Sequence, residues 1–266
     1  MWAVRDRKHD QKLFITLAVA LFALAWLALW FWGQSPYGRF IMHDDEISHG
    51  MAHGGGYSIP IIVFVVSWTL MIVAMMLPTS LPLITLFRAL VRDRKNHMHL
   101  VFLLIAGYLS MWILFGIAAH IGDWGVHQIA GESAWLHSDS WMIGVAILVT
   151  AGLYQFTSLK YHCLDKCRSP LSFIMERWQG GNEQKQAFRL GVDHGIFCIG
   201  CCWSLMLLMF VVSAGNIGWM LALGTVMAVE KNMPWGRRLS APLGVILLGW
   251  GLIMVVQGIP LLHWHT

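Results

Sequence analysis

The chain has 266 residues, 57% of them hydrophobic and only 12% charged, with 15 Trp, 16 Met, 13 His and 5 Cys. A soluble domain averages about 25% charged residues, so this chain has too little polar surface to cover a water-exposed particle of its size. The composition excludes a soluble enzyme, a disordered chain and a secreted disulfide scaffold, and the formal charge of +4 reports orientation in a bilayer before it suggests nucleic acid.

A helix that crosses a bilayer needs roughly 20 mainly apolar residues. In chain order the candidates are Leu13–Trp32, Ile59–Leu77, Leu100–Ile121, Trp141–Leu159, Gly195–Ala214, Ile217–Val229 and Leu239–Ile259. The expected fold is all-α, a polytopic membrane helix bundle of about seven transmembrane helices forming a single integral membrane domain over residues 1–266. The first run resembles a secretory signal only superficially, because it is too long and no A-x-A-like site follows, so it reads as an uncleaved helix. With these spans, 17 of the 18 Lys and Arg fall on one side and only Arg39 on the other. Cytoplasmic loops carry such an excess, which puts the N-terminus inside, the C-terminus outside and the protein in a cell inner membrane, with the lipid bilayer as its first partner. Trp30, Trp32, Trp124, Trp135, Trp141 and Trp264 fall at the outer boundary, where indoles anchor at headgroup level.

The outer loop, residues 34–58, holds His43, Asp44, Asp45, Glu46, His49 and His53. Imidazole and carboxylate suit divalent transition metals, so this loop is a possible outer metal site; the competing reading is a polar loop whose His residues titrate harmlessly. Eight of the 13 His fall on this side.

The second span ends Met75-Met76-Leu77-Pro78, with Pro78 and Pro82 ending or kinking the helix. Methionine is more often core filler than ligand, and adjacent Met75 and Met76 cannot both face one partner, so at most one coordinates. The inner loop, residues 160–190, is read as holding a short helix, the alternative being a solvated connector. Ser169-Pro170 supplies an N-cap residue and a first-turn proline. Phe173, Ile174 and Trp178 share one face, and Gly180-Gly181 ends the segment, as in a helix lying on the inner membrane surface.

All five Cys fall at or near the inner side. Cys163 and Cys167 stand at i and i+4 where span four emerges. Cys198, Cys201 and Cys202 stand at i, i+3 and i+4 in span five, which places them on one helix face. That face continues back to His194 and forward to Met206 and Met209. Thiolate and thioether suit Cu(I), and thiolate with imidazole also suits Zn(II). A single buried Cys is a small hydrophobe; three on one face beside His194, with a second pair nearby in depth, point to a transition metal, Cu(I) ahead of Zn(II). Disulfides are disfavoured on a reducing side. Asp193 and the Glu230-Lys231 pair at span ends are read as paired or snorkelling to headgroups. Gly191 and Gly195 fit a small-xxx-small helix contact.

Three segments resemble a bacterial family of predicted metal-binding integral membrane proteins of unknown function: Trp68 to Pro78 (W-x-L-M-x-x-A-M-M-L-P), Tyr154 to Pro170 with its L-K-x-x-C-L-x-x-C-R-x-P run, and Gly191 to Met206 with H-G-x-x-C-x-G-C-C-W, followed by Glu230-Lys231. The resemblance covers about residues 65–250. It implies metal binding at Cys163, Cys167, Cys198, Cys201 and Cys202 and supplies no reaction or substrate. The leading expectation is a Cu(I)-handling membrane protein, either a transporter or a factor that serves another membrane metalloprotein or a metallochaperone. The alternatives are a membrane oxidoreductase subunit with a thiolate-bound metal, quinone or haem, and a structural accessory subunit whose thiols only fill space.

Overall fold

Long apolar runs free of charge fold as helices, since only there does each segment satisfy its own backbone hydrogen bonds. A computed structural model describes residues 16–17, 20–31, 58–132, 141–179, 181–211 and 217–257, and every regular element among them is helical. The α-helices are α1 (Ala20–Phe31), α2 (Ser58–Met75), α3 (Leu81–Val91), α4 (His97–Glu132), α5 (Trp141–Tyr154), α6 (Ser158–Arg168), α7 (Pro170–Arg177), α8 (Glu183–Val211), α9 (Ile217–Asn232) and α10 (Ser240–Gln257). Three stretches, His97–Gly122, Glu183–Met209 and Gly236–Val256, are long and apolar enough to cross a membrane, and two bent helix pairs bring that total up to five.

Contacts divide the chain into two units, Met1–Pro78 and Thr79–Thr266. In the first, α2 ends where Met76 N and Leu77 N both bond to Ile72 O, at 2.8 and 3.1 Å, just ahead of Pro78.

In the second unit α8 lies against α4 so closely that only glycine fits. A Cβ on Gly191 would come 2.0 Å from Leu104 O, and one on Gly107 would come 2.2 Å from Phe188 O. The expected small-residue contact at Gly191 and Gly195 is therefore present, with α4 as its partner.

The expected span Trp141–Leu159 is broken. Helix α5 stops at Tyr154, and α6 leaves at 65° to it. The amides of Gln155, Phe156 and Thr157 bond to the carbonyls three residues back. Thr157, extended at φ −75° and ψ 143°, then caps α6 by accepting from Lys160 N at 3.3 Å. A cap inside an apolar stretch carries no hydropathy signal, which is why the run looked continuous.

The inner segment 160–190 is mostly helix. Helix α7 starts at Pro170 as expected and buries Phe173 and Ile174, with Trp178 set edge-on to Phe87 at 5.1 Å. Ser169 does not cap it with its side chain; its carbonyl instead accepts from Ser172 Oγ at 3.1 Å and Phe173 N at 3.0 Å. Gly181, at φ +119°, lies where only glycine is comfortable, at the turn into α8. Helix α8 begins at Glu183, twelve residues before the apolar run at Gly195.

Candidate metal centre

The 3.6-residue period places Cys198, Cys201 and Cys202 on one face of α8, and all three are fully buried. Cys201 Sγ and Cys202 Sγ donate to the Cys198 carbonyl at 3.1 and 2.9 Å. Helix α6 reaches this face because residue 200 is glycine: a Cβ there would sit 2.6 Å from Cys163 Sγ. Tyr154 reinforces the junction by donating its hydroxyl to Gly200 O at 2.5 Å. One turn beyond Cys163, the half-buried Cys167 sets its thiol beside that of Cys201, which also neighbours the thiols of Cys198 and Cys202. Two helices thus bring four thiols into contact, with Cys163 beside them against Gly200. None of the five Cys is joined in a disulfide.

Lys231 from α9, Tyr108 from α4 and His194 from α8 itself close over the sulfurs. Lys231, near the end of α9, is buried and puts Nζ 2.9 Å from Cys198 Sγ, 3.9 Å from Cys202 Sγ and 3.4 Å from Thr79 Oγ1. From α4, the Tyr108 hydroxyl lies 3.2 Å from Cys198 Sγ. His194, one turn before Cys198, is buried between the rings of Tyr108 and Phe173, each at 5.6 Å between centroids. Its Nε2 meets Ser80 Oγ at 3.2 Å, while Nδ1 is buried without a hydrogen-bond partner.

A second buried polar group adjoins this one. Lys160 Nζ donates to both oxygens of Glu230 at 2.8 and 3.0 Å and also to Gln155 Oε1. Ser240 Oγ donates to Glu230 Oε1 at 2.7 Å. Arg168, next to Cys167, donates to the carbonyls of Glu230 and Pro234 at 2.5 and 2.9 Å, which clamps the end of α9 to α6. The expectation that Lys231 pairs or snorkels to headgroups is corrected here: it is buried against sulfur, while its neighbour Glu230, which diverges from it in direction, meets Lys160. Asp193 is held by Arg177 Nε at 2.9 Å. On the surface, the Lys166 ammonium, 3.0 Å from Glu176, keeps that carboxyl below the ordinary carboxylate range.

Among the described residues, no group of three or more His, Cys, Asp or Glu side chains has the arrangement that would hold a metal ion. Cys201 and Cys202 point at a backbone carbonyl and Cys198 faces an ammonium. Metal–thiolate bonds of about 2.3 Å therefore require these side chains to turn about χ1, a change between staggered rotamers. The donor set itself, soft sulfur with one imidazole nearby, suits copper.

Met75 closes α2 and Met76 follows it; both are buried and belong to the first unit. The outer candidates His43, Asp44, Asp45, Glu46, His49 and His53 lie outside the described residues. Sequence reasoning missed Lys231, Tyr108, Thr79 and Ser80 as members of the site. For Lys231 there was a signal: a cation at the end of an apolar helix, one residue from a carboxylate.

A family model described as PpoB2, copper chaperone, matches residues 65–254. The chain belongs to this copper chaperone family. The match takes in every Cys, the α4–α8 crossing and Glu230-Lys231, so the thiol cluster lies wholly within the family's portion of a chain whose role is copper-related. No curated protein and no solved structure matches the chain.

Proposed function

We propose that the protein is an integral membrane copper chaperone that binds Cu(I) at its thiol cluster and passes it to another membrane metalloprotein or exchanges it with a metallochaperone. The observation that carries this is the meeting of Cys167 from α6 with Cys198, Cys201 and Cys202 from α8 in a buried group. Thiolates prefer Cu(I) and exchange it between sulfur ligands without changing its oxidation state. Cys167, the most accessible of the four, is the sulfur from which exchange with a partner starts. Cys163 and the buried, unpartnered Nδ1 of His194 add donors within a turn of the cluster, and Zn(II) is the competing ion for this donor set. In this reading the chain crosses a cell inner membrane about seven times, with the N-terminus and the cluster toward the cytoplasm. The outer His and carboxylate groups from His43 to His53 gather metal on the other face.

The test is metal content. Detergent-solubilised, reduced protein is incubated with Cu(I), separated from free metal and measured by mass spectrometry beside a C198S/C201S/C202S variant of equal monodispersity. Wild type retains copper and the variant loses most of it. Equal copper in both sinks the proposal.

A further inference from the structure

We infer that Lys231 is a specificity-determining residue of the thiol site: its buried positive charge matches a pair of thiolates to a monovalent soft cation and works against a divalent one. This rests on the copper reading of the cluster and adds to it the reason that copper is taken as Cu(I).

The argument is a charge count in a place where charge is costly. A sulfur that binds metal does so as thiolate. Two thiolates with one monovalent ion carry a net −1, and a group of helices buried in hydrocarbon holds an unbalanced charge poorly. Lys231 brings the total to zero. The same two thiolates with a divalent ion are already neutral, and Lys231 then leaves +1, with the ammonium repelling the ion twice as strongly as it repels a monovalent one. Adding imidazole from His194 or a thioether leaves both totals unchanged, because those donors are neutral.

The geometry puts the ammonium where this count applies. Nζ is 2.9 Å from Cys198 Sγ and 3.9 Å from Cys202 Sγ. The ionisable groups that act most strongly on it are Cys198, Cys201, Cys202 and Tyr108. The carboxylate adjacent in sequence, Glu230, is directed away and holds Lys160 and Ser240 instead. Arg168 fixes the backbone at Glu230 from α6, the helix that also carries Cys167. Thr79 Oγ1, 3.4 Å from Nζ, gives the ammonium a second partner while a metal shares Cys198. A thiolate can accept an N–H and bind a metal together, so Lys231 need not leave. On binding, two metal–sulfur bonds form, the sulfurs release to solvent whatever protons they carry, Lys231 stays cationic, and no electron moves.

The experiment compares ions of different charge on the reduced full-length protein in detergent. Cu(I), Ag(I) as a redox-inert monovalent probe, and Zn(II) are each loaded, challenged with a competing chelator and counted by mass spectrometry. Wild type and K231R hold Cu(I) and Ag(I) in preference to Zn(II). In K231M and in K231Q, retention of the monovalent ions falls about ten-fold while Zn(II) retention stays level or rises. An unchanged ratio of monovalent to divalent ion in both neutral variants overturns the inference, as does parallel loss of all three ions, which would make Lys231 merely structural. Wild type that holds Zn(II) as firmly as Ag(I) overturns it without any variant. Wild type that holds neither Cu(I) nor Ag(I) removes the copper reading itself, and this inference with it.

Discussion

Two buried lysines, one paired with Glu230 and the other next to it in sequence, have opposite surroundings. Lys160 on α6 is fully buried against oxygen: both oxygens of Glu230, the amide oxygen of Gln155, and a carboxylate further held by Ser240. Lys231 on α9 is buried against sulfur and hydroxyl: Cys198, Cys202 and Thr79. The first lysine is paired with a carboxylate, a partner of matching hard character. The second has as its neighbours groups that bind soft metals. Adjacent residues Glu230 and Lys231 feed the two arrangements, so α9 joins a closed structural pair to an open chemical one. The difference separates a lysine held by a carboxylate from a lysine set among thiols.

The largest effect is expected on the oxygen side. Glu230→Ala strands Lys160 in the interior without its carboxylate and costs about 3–5 kcal/mol, whereas the double change Lys160→Met with Glu230→Leu recovers most of that loss. Thermal unfolding of the solubilised protein measures both. A Glu230→Ala variant as stable as wild type would erase the distinction between the two lysines.

A smaller effect is expected on the sulfur side. Tyr108→Phe removes the hydroxyl 3.2 Å from Cys198 Sγ. Loss of one such neutral hydrogen bond costs about 0.5–1.5 kcal/mol, and the ring that stacks on His194 is kept. Copper per chain should equal wild type, since no sulfur is altered. Destabilisation on the scale of Glu230→Ala would mean that the sulfur side is a structural lock too.

How much of this was readable beforehand depends on whether a feature is local. The shared face of Cys198, Cys201 and Cys202 follows from helical periodicity alone, the helix opened by Pro170 follows from its first-turn proline, and the spacing of Gly191 and Gly195 pointed to a close helix contact without naming its partner. The meeting of Cys167 with Cys201 does not, because it depends on the bend at Gln155–Thr157 and on the absence of a side chain at Gly200, both tertiary facts. Lys231 was legible as an oddity and illegible as a partner: its direction differs from that of Glu230 by one residue's rotation about α9, and sequence gives no preference between sulfur and carboxylate. The early start of α8 at Glu183 was hidden for a third reason. Its first turns are polar, and a search for apolar runs passes over them.

The smallest effect comes from a third lysine contact, also on α6. Lys166 and Glu176 lie 3.0 Å apart with both side chains in solvent. Glu176 is held below its ordinary value chiefly by the hydrogen bond and charge of Lys166. A carboxyl with a lowered folded-state value adds stability that is present above its unfolded value, about 4.3 for Glu, and is lost as pH falls through the folded value. Solvent and salt screen a pair in this position. Glu176→Gln should therefore melt with wild type at neutral pH and high salt. Any difference seen at low salt should vanish on acidification below the usual carboxylate range. A larger, salt-insensitive loss would show that α7 depends on this pair, when its hold on the rest of the unit is assigned here to buried Phe173 and Ile174 and to Arg177, which lies 4.1 Å over the Phe173 ring while bound to Asp193. On that assignment, position along α6 decides what each of its lysines does. Lys160, in the first turn, is sealed and structural, and Lys166, in the last turn, is wet and dispensable. Cys163, which is buried, lies between those two regimes, and Cys167, which is half-buried, lies just past the second.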